Sequence, residues 1–396
     1  VAPPEPLRAP PSSTTMQRIA TSVSAAARGA RAVRAAGVGP IAAARVAAAS
    51  FASVAGDAAA RTPLTGPSDA YRAGVDKLDA KKANVTAHVS IADDDAKNAA
   101  TECPFVAAAD PALVRASQRE SNARSYVRKF PMVIAEADGV TLTDTDGRVY
   151  LDCLGCAGTL ALGHNHPVVK EALLSYIGGP TPKPLQVLDM ASVEKDHFVT
   201  KLFEVLPDNL SRVHFCSPAG TDALDAAVKM CKIATGRRTV LAFAGGYHGH
   251  GHGTLAMMGN LGAKTPVSGL MPDVHFLPFP YNYRHPFGME GEEGETAVIR
   301  AWEAMLGDDE SGVPKPACVV VEAIQGEGGV HPMSPRALRE LRRITREHDI
   351  PLVIDEVQAG FCRSGDFFAF EHGDIQPDVV CMSKALGGGQ PLAVIA

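Results

Sequence analysis

The sequence has no apolar run that approaches the roughly 18–20 residues a membrane-spanning helix needs. Charge of one sign does not dominate it either. Its 38 lysines and arginines stand against 44 aspartates and glutamates, a net charge of −6, which leaves no basic footprint for a nucleic-acid partner. No G-x-G-x-x-G follows the first strand-like run, so a dinucleotide-binding dehydrogenase is disfavoured. The eight cysteines do not form a framework. Cys153 and Cys156 make a C-x-x-C, but no second pair lies near it, and neither zinc nor a redox motif is expected there. Cys216, Cys318 and Cys381 sit in or beside apolar runs and read as buried free thiols of a reducing compartment.

What is present divides the chain unevenly. With 46% hydrophobic and 21% charged residues, there is ample material for a large core. The chain starts at Val1, and Met16 is a plausible initiator. From Met16 to Arg61 it carries Arg18, Arg28, Arg31, Arg34, Arg45 and Arg61 against one acid, Asp57, among alanines and serines. That composition reads as an organellar transit peptide, mitochondrial in preference to plastid, with a disordered tail on a cytoplasmic protein as the alternative. Residues 62–115 read as a linker.

The folded part opens with "VIAEADGVTLTDTDGRVYLD", whose alternation around two Asp-Gly turns predicts a short β-meander. Pro167 begins a helix after the Gly-rich "LGCAGTLALGHNHP". From Val213 onward, β-rich runs recur: "RVHFC", "RTVLAF", "DVHFLPF", "ACVVVE", "PLVIDE", "DVVCMS" and "LAVIA". Most alternate with helical segments. In "SPRALRELRRITREHD", Ser334 is a candidate cap and Leu338, Leu341 and Thr345 share a face. The alternation predicts an α/β fold with a mostly parallel seven-stranded sheet flanked by helices. Ligands in such sheets bind at the carboxyl ends of the strands.

Those ends carry the chemistry. Gly220 and Thr221 stand where a strand turns into a helix, as an anion cup or as an ordinary cap. Tyr247 and His248 stand on the Gly-rich "AGGYHGHGHGT", where the histidine run also raises a metal site, disfavoured because no carboxylate or cysteine ligand is attached at ligand spacing. Asp355 ends "PLVIDE" as the partner of a protonated ring nitrogen, or in a salt bridge. Lys384 ends "DVVCMS", where burial makes its amine easier to deprotonate and able to attack a carbonyl, unless it snorkels to water. An anion cup, an aromatic platform, an acid and a lysine on one sheet suit pyridoxal phosphate.

From about residue 120 the chain resembles the class III aminotransferases, which have the type I pyridoxal-phosphate fold. The matching motifs are "CSPAGTDA", "GGYHG", "VVVEAIQGEGG", "VIDEVQAGFCRSG" and "SKALGGGQPLAV". Within the class, "SYVRKFP", "LQVLDMASVEKDHFVTKLF" and "FLPFPYNYRHPFG" resemble the diaminobutyrate–2-oxoglutarate branch, with ornithine, acetylornithine or 4-aminobutyrate enzymes, or an inactive cofactor-binding remnant, as alternatives. The resemblance implies a small amino donor, a 2-oxo acid acceptor, and a homodimer. It implies an N-terminal small-domain segment over 116–180 and the cofactor-binding large domain over 181–396. It gives Lys384 the Schiff base and the proton shuttle, Asp355 the pyridinium nitrogen, and Gly220 and Thr221 the phosphate. Tyr247 would stack on the ring with His248 beside it, and Gln358 would lie near the ring oxygen. Glu327 would help the site switch between its two amino substrates. Ser217 and Ala219 depart from the family pattern, which puts one phosphate-side hydroxyl in doubt, and Ala359 and Cys362 stand where the pattern has serine and glycine. The family pattern continues beyond Ala396 into a C-terminal small domain, so the stop reads as a truncated record.

Overall fold

The computed structural model describes residues 110–119, 130 and 132–396. The transit-peptide reading, and the linker reading before residue 110, lie outside the described residues. Helix α1 (Pro111–Arg119) belongs to a different compact unit from residues 134–396. The Asp110 carboxylate accepts the Ala112 amide at 2.7 Å and satisfies one of its free donors.

Residues 134–396 fall in a single unit. It starts with the expected meander, β1 (Ile134–Asp138), β2 (Thr141–Asp144) and β3 (Val149–Leu151), antiparallel throughout. Buried Asp144 builds its second turn by accepting the Asp146 and Arg148 amides at 3.0 and 2.8 Å and the Tyr150 hydroxyl at 2.7 Å. Gly147 takes φ +77° there, a left-handed conformation that glycine adopts without a Cβ clash. Helices α2 (Pro167–Gly178) and α3 (Val193–Phe203) follow. Pro167 begins α2 as expected, and His166 caps it.

The remaining elements alternate: β4 (His214–Phe215), α4 (Gly220–Thr235), β5 (Val240–Phe243), α5 (His252–Met257), α6 (Leu261–Lys264), β6 (Val274–Leu277), α7 (Gly291–Gly307), β7 (Cys318–Val321), the small hairpin β8 (Ile324–Gln325) and β9 (His331–Pro332), α8 (Pro335–Glu347), β10 (Leu352–Asp355), β11 (Val379–Met382) and β12 (Val394–Ile395). Seven strands form one sheet in the order β4-β12-β11-β10-β7-β5-β6. The pairs along β11-β10-β7-β5-β6 are all parallel, while β12 runs antiparallel to both of its neighbours. The fold is therefore the mixed, mostly parallel α/β sheet expected. The final strand is inserted inside the sheet between β4 and β11.

The central strands are buried on both faces, which explains why they read as unbroken apolar runs without alternation. Ala223, Leu224, Ala227, Val228 and Cys231 of α4 pack on one face with Val240, Val320, Val353 and Cys381. Helix α8 crosses from β7 to β10. The Ser334 hydroxyl accepts the Ala337 amide at 3.0 Å, and Leu338, Leu341, Ile344 and Thr345 are all buried. Its Arg342 forms a two-pronged pair with Asp378 at 2.6 and 2.8 Å, and Asp378 also accepts the Leu352 amide at 2.8 Å, fixing the start of β10. The single tryptophan, Trp302, is fully buried and donates to the Pro278 carbonyl at 2.9 Å. Among the described residues, no helix is long and apolar enough to cross a membrane.

Strand order decides what meets at the carboxyl edge. Since β7 lies between β5 and β10, the turn after β5, the residue after β7 and the end of β10 come side by side.

Candidate active site

Asp355 closes β10 with 5% of its surface exposed. Burial of a lone carboxylate is costly, and its two oxygens are engaged. Oδ2 lies 2.8 Å from His248 Nδ1, and Oδ1 accepts the Val357 amide at 3.0 Å. Burial works against a charged imidazole on His248, but the hydrogen bond and the charge of Asp355 outweigh it, and the pKa of His248 is raised. Among the described residues, His248 Nε2 has no hydrogen-bond partner. The other two histidines of the run point elsewhere. His250 packs beside the Tyr247 ring at 5.6 Å between centroids, and His252 reaches the Gly269 carbonyl at 2.9 Å. Among the described residues, no cluster of histidine, cysteine, aspartate and glutamate could hold a metal ion.

Lys384 follows β11, the strand on the other side of β10. Asp355 is the register partner of Cys381, so three residues of chain bring Lys384 past the same edge. Burial lowers its pKa, against the opposing pull of Asp355, Glu327 and Glu322. Its backbone takes φ +46°, a strained left-handed conformation for a lysine and a feature that clusters at functional sites. Among the described residues, its amine makes no hydrogen bond and is free for a ligand.

The anion cup is built by α4. Its N-cap is Ala219, which has no side-chain oxygen to satisfy the first helical amides, and those of Gly220 and Thr221 have no intrahelical partner by their position. Gly220 is closely packed, since a Cβ there would lie 2.6 Å from Val357 Cγ1 and the valine would have to shift. The Thr221 hydroxyl accepts the Gly251 amide at 2.9 Å and pairs with Thr254 at 2.6 Å, so it also ties the start of α4 to the histidine-bearing loop. Tyr247 is partly buried, and burial together with Glu327 and Glu322 raises its pKa, keeping the phenol neutral. Gln358 donates to Glu327 Oε1 and to the Ala157 carbonyl, both at 3.3 Å, and Arg363 donates to the Gly158 carbonyl at 3.2 Å. The loop after β3 thus meets the rim formed by Gln358, Glu327 and Arg363.

All eight sequence-selected residues fall in the one unit. Lys384, Asp355, His248, Tyr247, Gln358 and Glu327 are linked by the contacts and charges above. Gly220 and Thr221 join through Val357 and the Gly251 loop. Sequence reasoning placed His248 at the ring and missed its pairing with Asp355. It also missed Val357, which fills the space beside Gly220, and Glu322, a buried acid immediately after β7. The signal for Glu322 was a glutamate ending the apolar run "ACVVVE", the same pattern that singled out Asp355.

The residues present fit pyridoxal phosphate: free helix-end amides for a phosphate, a free amine with lowered pKa, and a buried acid backed by a histidine. The chain belongs to the class III aminotransferases, whose family model, "Aminotransferase class-III", matches residues 122–396. It is 51% identical over 286 residues to the diaminobutyrate–2-oxoglutarate aminotransferase of Rhizobium meliloti, covering 72% of this chain and 60% of that protein. It is 50% identical over 284 residues to the protein of the same name from Haemophilus influenzae, covering 72% and 62%. The chain therefore spans about 60% of the length of these relatives. Among solved structures, it resembles a pyridoxal-phosphate-bound amine transaminase from an uncultivated Pseudomonas species, with 28% identity and a TM-score of 0.61, over 70% of this chain and 64% of that one.

Proposed function

We propose that this chain carries the pyridoxal-phosphate site of a transaminase that moves the 4-amino group between L-2,4-diaminobutyrate and 2-oxoglutarate, or from glutamate to aspartate semialdehyde in reverse. The observation that carries the reading is the buried Asp355–His248 pair at 2.8 Å, one strand away from the free amine of Lys384. The substrate identity is supported by the names of the relatives at 51% and 50% identity.

Pyridoxal phosphate supplies, when bound, an aldehyde that condenses with amines and a ring that withdraws electrons from the adjacent carbon. The chain's own residues do the rest. The Gly220 and Thr221 amides and the α4 dipole hold the phosphate. Asp355 keeps a proton on the ring nitrogen, and His248 holds Asp355 in place. Tyr247 offers an aromatic face, with Gln358 on the rim. Lys384 Nζ would hold the cofactor through its aldehyde and would give and take a proton beside it, eased by a burial-lowered pKa. Glu327, exposed at the rim and joined to Gln358, carries a negative charge that can pair with a cationic group or be drawn aside, as two amino substrates of different length require.

The working form is proposed to be a homodimer. Helix α2 buries none of its residues, with Leu174 62% and Ile177 72% exposed, and Leu185, Leu188 and Met190 beyond it are exposed as well. Apolar surface of this kind is usually covered by a partner. Residues 1–61 are proposed as an organellar transit peptide, supported by their arginine-rich, acid-poor composition.

The test is turnover by the protein expressed from its complete reading frame, loaded with pyridoxal phosphate and 2-oxoglutarate. Diaminobutyrate, ornithine, acetylornithine and 4-aminobutyrate are supplied in turn, with glutamate formation as the readout. A kcat/KM for diaminobutyrate at least about tenfold above the others is expected. Preference for another of the four amines would overturn the substrate assignment.

A further inference from the structure

We propose that Glu322 is a positioning residue whose two carboxylate oxygens clamp the turn carrying Tyr247 and the loop carrying Glu327 to a single strand end. Oε1 accepts the Tyr247 amide at 2.8 Å and Oε2 accepts the Gly326 amide at 3.0 Å. Both donors are backbone groups, so the clamp acts on main-chain position whatever side chains stand there. Glu322 is 5% exposed, and among the described residues no lysine or arginine pairs with it. A carboxylate buried without a lysine or arginine partner is retained against its desolvation, and here the compensation is two charge-assisted hydrogen bonds to separate segments, with the charge of His248 nearby.

The surroundings make the clamp specific to the site. Since β7 lies between β5 and β10, Glu322 stands between the turn after β5 and the Asp355 end of β10. His248 and Asp355 are the charged groups that act on it most strongly. The two clamped segments also touch. Gln325 donates to the Ala244 carbonyl at 2.9 Å, and a Cβ at Gly328 would lie 2.5 Å from the Gly245 carbonyl oxygen. The aromatic platform and the Glu327 rim thus form one body. Displacement of either shifts the other, so recognition of both amino substrates depends on Glu322 although it contacts neither.

Above its pKa of about 7 the Glu322 carboxylate accepts at both oxygens and donates at neither, so exchange is read at pH 8. An amide of the same shape accepts at one and presents a donor to the other N–H, so Glu322→Gln separates the clamp from the volume it fills. The first readout is hydrogen exchange on cofactor-free protein, in the segments 244–249 and 325–330. Exchange in both should accelerate by about tenfold or more, the factor carried by one lost charge-assisted hydrogen bond, while segments of β10 and β11 stay protected. The second is steady-state kinetics, in which KM for both amino substrates should rise more than kcat falls. If the glutamine variant does not fold, Glu322→Asp keeps the charge and both acceptors but falls a carbon short, and the same two segments are read. Unchanged protection in the two segments, loosening spread evenly over the sheet, or loosened segments with unaltered KM would each overturn the proposal. The proposal rests on the transaminase reading only through its kinetic arm. If that reading fails, the exchange result still stands, and if the clamp fails, turnover of diaminobutyrate is untouched.

Discussion

Raising the pH from 6 to 8 should weaken this fold, and Glu356 dominates the effect. Its side chain is fully buried, with its oxygens accepting the Ala369 and Phe370 amides at 2.9 Å each. Burial outweighs these two hydrogen bonds and pushes its pKa from the ordinary 4.5 to about 8. A carboxyl whose pKa is higher in the folded state binds more protons folded than unfolded between those two values, so stability falls as pH rises through that window. At about 1.4 kcal/mol per pH unit, the stretch from pH 6 to pH 8 removes about 2 kcal/mol. Glu322, raised to about 7 by burial, acts in the same direction. So does His248, because a raised histidine pKa gives stability that is lost as pH rises through it. For a unit of this size, 2 kcal/mol corresponds to about 4–8 °C in Tm. The assay is thermal and denaturant unfolding of the cofactor-free protein at constant ionic strength. Glu356→Gln mimics the neutral acid and should remove most of the slope. A Tm that is flat or rises between pH 6 and 8, or a glutamine variant that keeps the full slope, would refute the reasoning.

Other outcomes follow from the same geometry. Asp355→Asn should reduce kcat by about 10²–10³, the loss expected for one key electrostatic group. In the same variant, the His248 pKa followed by NMR should fall, because the negative charge that helps raise it is gone; an unmoved pKa would break the pairing. Gly220→Ala should weaken pyridoxal-phosphate binding measured by equilibrium titration, since the new methyl must displace Val357 from 2.6 Å; unaltered affinity would remove the close-packing argument.

The sheet was legible because its central strands carry unbroken apolar runs, and because acids, glycines and a lysine punctuate their carboxyl ends. Lys384 and Asp355 could be chosen from that punctuation alone. The position of β12 could not, since "LAVIA" states that a strand exists and not which neighbours it enters between. The hairpin of β8 and β9, two residues a side, is too short to leave a periodic signal. The roles of His248 and Glu322 depend on strand order. Their partners lie 107 and 75 residues away in sequence, and they meet only because β7 separates β5 from β10. Sequence spacing places a residue on an edge, but it does not say which edges converge.

The most direct measurement is to locate the lysine that binds the cofactor. The protein is incubated with pyridoxal phosphate and reduced with borohydride, and the covalently labelled peptide is identified by mass spectrometry. The label should fall on Lys384, at one per chain, and be lost in Lys384→Ala. A label on a different lysine, or labelling spread over surface lysines and unchanged in the alanine variant, would contradict the assignment of this strand end as the active site.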